Sequence, residues 1–155
     1  MTDWIYNHTP FNAPDPQHYG FVYCITNKAT NKKYIGKKLF WFKKTRQVKG
    51  KKKRYLAESD WKSYYGSSLE LQKDVNELGE ELFEREILHL CKSKSECSYY
   101  EGHEQFQRAV LFHPELYYND WIIVRVQRRH VLSENATRNP LSEANKQTRS
   151  KPKKG

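Results

Sequence analysis

Residues 21–36 read Phe21-Val22-Tyr23-Cys24-Ile25-Thr26-Asn27-Lys28-Ala29-Thr30-Asn31-Lys32-Lys33-Tyr34-Ile35-Gly36. Two runs in this stretch, Phe21–Ile25 and Lys33–Gly36, carry the aromatic and β-branched residues that suit strands. Between them Thr26–Lys32 is polar, small and asparagine-rich, which is the chemistry of a hairpin connection. A hairpin of this length sets Tyr23 and Tyr34 on adjacent strands. Their rings then share a face, with two phenol hydroxyls side by side.

Working outward, residues 1–18 are rich in Pro, Asn and His and read as an irregular arm, with Trp4, Ile5 and Tyr6 covering an edge of the sheet. After the hairpin, Leu39–Phe42 continues into Lys43–Arg46 as a short helix, and Gln47–Arg54 is charged enough to read as a mobile loop. Ser67-Ser68 caps a helix carried by Leu69, Leu71, Val75 and Leu78, and Gly79 ends it. Leu82–Cys91 reads as a third strand. Ser93 or Ser95 opens a helix running to about Phe112, with Tyr99, Phe106, Val110 and Leu111 inward, and Pro114 stops it. From about Val131 the apolar content is too low to build a core, so a disordered end is expected. The expected fold is α+β, a small three-stranded antiparallel sheet flanked by helices. Its expected units are the arm at 1–18, the folded domain at 19–121 and a basic, partly disordered extension at 122–155.

The chain of 155 residues has a formal charge of +10, and that charge is segregated. Residues 43–54 hold eight basic side chains and no acidic one, and residues 125–155 hold nine basic and two acidic. Segregated positive charge predicts a polyanion partner. Lys43, Lys49, Lys51, Lys52, Lys53 and Arg54, with Arg125, Arg128 and Arg129, are the expected contacts to that polyanion. No apolar run approaches bilayer length and no basic leader opens the chain, so no membrane role and a cytoplasmic setting are expected. The three cysteines, Cys24, Cys91 and Cys97, are odd in number and lack a metal-site spacing; they read as reduced, buried thiols.

The order Tyr23, then Tyr34-Ile35-Gly36, resembles the GIY-YIG nuclease superfamily, and the chain is similar to its phage stand-alone, homing-type members. The second motif matches in full; in the first, Phe21 stands where the family has glycine. The resemblance covers residues 19–120 and implies a GIY-YIG-like fold and a metal-dependent endonuclease with one Mg²⁺ or Mn²⁺. It implies that Tyr23 and Tyr34 position or deprotonate water. Glu101, within Ser98-Tyr99-Tyr100-Glu101-Gly102-His103-Glu104, is the implied metal ligand, with Glu104 one turn later as a competitor. Tyr118-Asn119 matches the family's late Tyr-Asn pair. The family's phosphate-binding arginine falls on Lys44 by spacing, with Arg46 as the other candidate. Tyr64-Tyr65-Gly66-Ser67 is similar to a run in phage members and makes Tyr65 a further phosphate contact. Leu141–Lys146 is similar to a short helix of nuclease-associated DNA-binding modules. The implied partner is DNA, double-stranded, engaged by a monomer or weak dimer. The rival expectation is a nucleic-acid-binding protein of the same fold without catalysis.

Overall fold

The computed structural model describes residues 1–131. Seven strands and two longer helices follow in the order β1 (Trp4–Tyr6), β2 (Thr9–Phe11), β3 (Gly20–Asn27), β4 (Lys33–Leu39), β5 (Trp41–Val48), β6 (Lys51–Glu58), α1 (Leu69–Leu78), β7 (Phe83–Cys91) and α2 (Lys94–Gln107). The fold is α+β, but the sheet is larger than expected. Strands β3, β4 and β7 form the antiparallel centre, and the first strands extend it to five in the order β2-β1-β7-β3-β4. Because β1 runs parallel to β7, pairing Trp4 with Arg85, the sheet is mixed. Strands β5 and β6 make a separate two-stranded sheet.

The β3–β4 hairpin forms as its sequence requires. Asn27 Oδ1 accepts from the Ala29 N–H at 2.9 Å and Asn31 adopts a left-handed φ of 62°. The pairing sets Tyr23 opposite Gly36 and Tyr34 opposite Ile25. Alternation then sorts the side chains. Phe21, Tyr23 and Ile25 face a large aromatic core with Trp4, Phe40, Trp61 and the α1 residues Leu71 and Val75. Val22, Cys24 and Ile35 face a second core completed by Cys91, Cys97 and Val110 under α2. The register between β3 and β7 shifts after Val22, leaving Leu88 as an extra residue beside Tyr23, a bulge of the kind that re-aims side chains.

Two expectations fail for one physical reason. Residues 1–18 are not an irregular arm throughout, and residues 41–58 are neither a short helix nor a loop. Both segments contain hairpins with two-residue turns in which both residues have positive φ: Asn7-His8 at 50° and 66°, and Lys49-Gly50 at 51° and 76°. That geometry matches the twist of the flanking strands. On α2 the expected inward face is also displaced. Tyr99 and Phe106 are exposed, whereas the small residues Cys97 and Gly102, with Gln105, form the buried stripe. The helix stops at Gln107, and Ala109 in a left-handed conformation starts a separate short turn at Val110–Phe112, where Leu111 is exposed. Ser68 and Ser93 cap α1 and α2 as expected, and Gly79 ends α1 with φ of 92°. All three cysteines are free and buried. No helix among the described residues is long and apolar enough to cross a membrane. The Leu141–Lys146 run and the end of the extension lie outside the described residues.

The open edge of β4 is closed by the chain after α2. Asn119 Oδ1 accepts from the Ile35 N–H at 3.0 Å and its Nδ2 donates to the Ile35 carbonyl at 2.8 Å, replacing a neighbouring strand. Lys33 N–H donates to the Leu116 carbonyl, and Tyr118 N–H to the Lys33 carbonyl, both at 2.8 Å. Replacing Asn119 by Ala leaves the buried Ile35 N–H without a partner. Asn119→Ala should lower the unfolding free energy by about 1–3 kcal/mol; urea titration checks this, and a change below about 0.5 kcal/mol would show that water takes over the amide's role.

Candidate active site

The site is built on Gly36. A Cβ there would stand 2.6 Å from Tyr23 Cζ and 3.0 Å from Tyr34 Cε1. The absent side chain therefore lets the Tyr23 ring lie across the partner strand. Tyr23 and Tyr34 sit on one face with ring centroids 6.2 Å apart. Tyr64 completes the cluster, edge-on to Tyr23 at 6.0 Å. Phe21, at the position of the family's glycine, points into the aromatic core against Trp4 and Phe40, behind the phenols.

Tyr64 is held from behind. Buried Arg85 donates from Nη1 to the Tyr64 carbonyl at 2.8 Å and from Nη2 to the Thr2 carbonyl. Its guanidinium lies 4.6 Å from the Trp4 ring and 4.2 Å from the Tyr65 ring. From the front, the Lys38 ammonium lies 4.0 Å from the centre of the Tyr64 ring and pairs with Asp60 at 2.6 Å. Ser67 shares a hydrogen bond of 2.8 Å with the Tyr34 hydroxyl. Beyond Tyr34 a cleft of about 600 Å³ opens, lined by Ser67, Tyr118, Asp120 and Trp121.

Glu101 and Glu104 are sharply different groups. Burial pushes Glu104 up, but hydrogen bonds from His89 and Arg108 prevail and hold it below the usual carboxylate range. Those bonds measure 2.8 and 3.0 Å, so both Glu104 oxygens are occupied. Glu101 is in no ion pair among the described residues. Burial raises it, offset only in part by Lys37. Its charge acts on both Tyr23 and Tyr34. Burial, with the neighbouring hydroxyls of Tyr64 and Tyr34, also raises Tyr23 well above the usual phenol, and burial raises Tyr34 against the Ser67 hydrogen bond. Both are therefore protonated at neutral pH and present O–H donors.

The structure brings Tyr23, Tyr34 and Glu101 together and adds Tyr64, Lys37 and Lys38. It does not bring Tyr65 with them. The Tyr65 hydroxyl is 3.0 Å from both the N and Oγ1 of Thr2, and its ring packs on Arg85. Lys44 and Arg46 stand on β5 opposite Tyr55 and Lys53. Asn119 acts on the site through Ile35, whose carbonyl also accepts from Gln105 Nε2 at 3.1 Å. Gln105 is one turn beyond Glu101, so this shared carbonyl ties the glutamate's helix to β4. Alternation marks the missed lysine: Lys38 shares the face of Tyr34 and Gly36.

No group of three or more His, Cys, Asp or Glu side chains that could cage a metal exists among the described residues. One half-buried, unpaired carboxylate suits a small hard cation that keeps water and phosphate oxygens as its other ligands. Glu101 fits that requirement, and Glu104 does not.

The chain matches the family described as "Putative endonuclease segE, GIY-YIG domain" over residues 4–122. No curated protein and no solved structure matches it. The chain belongs to the GIY-YIG superfamily, in its stand-alone phage-type branch, and carries its endonuclease domain. The match begins at Trp4, so it takes in the β1–β2 hairpin.

Because the folded-state pKa of Glu101 is raised, its stabilising contribution is complete below the unfolded value and is lost as pH rises through the folded one. Glu101→Gln should therefore melt above the wild type at pH 7, and the gap should close as pH falls toward the ordinary glutamate value. Melting curves across this range measure it. A gap that is constant with pH would mean that Glu101 is not held in a desolvated place.

Proposed function

We propose that this GIY-YIG protein hydrolyses phosphodiester bonds in duplex DNA through a site formed by Tyr23, Tyr34, Tyr64, Lys38 and Glu101. The observation that carries the reading is the unpaired, burial-raised Glu101 beside two protonated phenols. Glu101 would hold one divalent cation, Mg²⁺ or Mn²⁺, which when bound supplies Lewis-acid stabilisation of the leaving oxygen. Tyr23 and Tyr34 orient the attacking water by hydrogen bonding. In this reading both act as neutral phenols, which burial favours, and position the water. Lys38, on the phenol face of β4, neutralises the scissile phosphate in place of the expected Lys44 or Arg46. Lys37, bonded at 2.6 Å to Ser98, opposes protonation of Glu101. Asn119 and Gln105 position the helix that carries the glutamate.

The catalytic unit in this reading runs from β1 to Asn119, and residues 122–155 add positive charge for DNA. A single site of this kind nicks one strand in each encounter of a monomer, whereas a dimer would bring a second site. Reduced buried cysteines suit an intracellular setting. The non-catalytic rival draws on the replaced glycine of the first motif and on the lysine at the position of the family's arginine; Phe21 packs in the core with its ring 5.9 Å from that of Tyr23.

Purified protein should convert supercoiled plasmid to open circles with Mg²⁺ and not with EDTA. Loss of Lewis-acid stabilisation amounts to several kcal/mol, so Glu101→Gln should be at least about 100-fold slower while still binding DNA. Divalent cation should raise the melting temperature of the wild type and leave Glu101→Gln unchanged. Binding without nicking in the wild type would establish the rival.

Tyr34→Phe keeps the ring and loses the hydroxyl. It should slow nicking by roughly tenfold or more with little change in melting temperature. Equal rates with equal stability would make Tyr34 a packing residue only.

A further inference from the structure

Strands β5 and β6 pair with each other and with no other strand among the described residues. Their register runs from Trp41–Glu58 at the base to Val48–Lys51 at the tip. Directly paired residues share a face, so Lys44, Arg46, Tyr55 and Lys53 lie on one side and Lys43, Lys52 and Arg54 on the other. Both faces are exposed and both are basic. A clamp resting on the outside of DNA needs positive charge on one face. Positive charge on both faces suits an element with phosphates on either side of it.

The dimensions agree. Eight residues at roughly 3.3 Å each give a ribbon about 26 Å long, which spans about eight base pairs at roughly 3.4 Å each. The major groove admits a two-stranded ribbon. An isolated two-stranded hairpin is marginal in water, and this one also exposes Phe42, Tyr55 and Leu56.

The ribbon is continuous with the site. It leaves β4 directly after Lys38 and Leu39 and returns at Asp60 and Trp61, just before Tyr64. The Lys38 ammonium lies over both the Tyr64 ring, at 4.0 Å, and the Phe42 ring, at 5.2 Å. Phe42 shares its face with Lys44 and Arg46, so this face extends the surface of the phenol cluster. On it the Arg46 guanidinium lies 5.5 Å from the Tyr55 ring. A guanidinium presents a planar fork that matches the O6 and N7 of guanine.

We infer that the β5–β6 ribbon enters the major groove of duplex DNA beside the cleavage site and reads base edges through Arg46, with Lys44 and Lys53 beside it. Lys43, Lys52 and Arg54 on the opposite face neutralise phosphates of the groove walls. The protein is then a sequence-selective binder, with a guanine preference displaced from the cut by up to the ribbon's reach. The inference rests on the reading of the chain as a DNA nuclease, but its test does not need cleavage.

The test is selection of random duplexes by the full-length chain in EDTA. A motif containing guanine should be enriched. Arg46→Lys keeps the charge and removes the fork. It should lose roughly tenfold or more of the preference at one guanine while leaving the salt dependence of binding unchanged. Lys52→Ser should weaken all sequences alike and flatten the slope of log affinity against log salt by about 0.9. No enriched motif, or an Arg46→Lys protein with the wild-type preference, would overturn the inference. Plasmid nicking by the same preparation separates the two readings. Nicking without sequence preference overturns the ribbon's role and keeps the nuclease, whereas selective binding without nicking does the reverse.

Discussion

Everything at the site depends on a side chain that is missing. Tyr23 and Gly36 are direct cross-strand partners, and the space that any Cβ would take is filled by the Tyr23 ring. That exchange brings a large polar-tipped ring into the core. It also brings Tyr34, two residues back, alongside it. The two motifs of the chain are thus one packing solution seen from two strands. The pattern Tyr, then Tyr-x-Gly, is what a hairpin needs to hold a pair of phenols over its own backbone.

The second level of organisation is electrostatic. Tyr23, Tyr34 and Glu101 are all pushed toward their neutral forms, chiefly by burial. Neighbouring Glu104 has the opposite fate because His89 and Arg108 neutralise it. The two glutamates are on the same helix three residues apart, and only their partners distinguish them. One of them holds the helix against the sheet, and the other, in no ion pair among the described residues, is met by the charge and backbone of Lys37.

Much of the core was legible because its signals are local. The central hairpin, the Ser68 and Ser93 caps, Gly79 and the third strand all follow from residues within a few positions of each feature. The ribbon at 41–58 was not, because hydrophobic alternation marks a strand only when one face is buried. Here both faces meet solvent, and eight cations hide the strand propensity of Trp41, Phe42, Tyr55 and Leu56. The one usable signal was Lys49-Gly50, a two-residue turn with glycine second. The face of α2 was misplaced because Tyr99 and Phe106 are large. The helix instead approaches the sheet through Cys97 and Gly102, whose smallness admits close contact. Tyr65 and Tyr64 are adjacent and chemically identical, so only the path of the loop, fixed by distant Thr2 and Arg85, decides which one reaches the site.

The parallel pairing of Trp4 with Arg85 has a consequence for how the molecule assembles. Strand β1 has no sheet to join until β7 has emerged, some eighty residues later. The β1–β2 hairpin meanwhile carries Trp4, Ile5, Tyr6 and Phe11 with a free edge, a species prone to wrong partners. Its two-residue turn lets it close on itself early and shields one edge during that wait. The backbone support of Tyr64, through Arg85, then forms only when both ends of the domain have met. Completion of the domain and completion of its site are therefore the same event, and an incomplete chain holds its phenols without the scaffold that aims them.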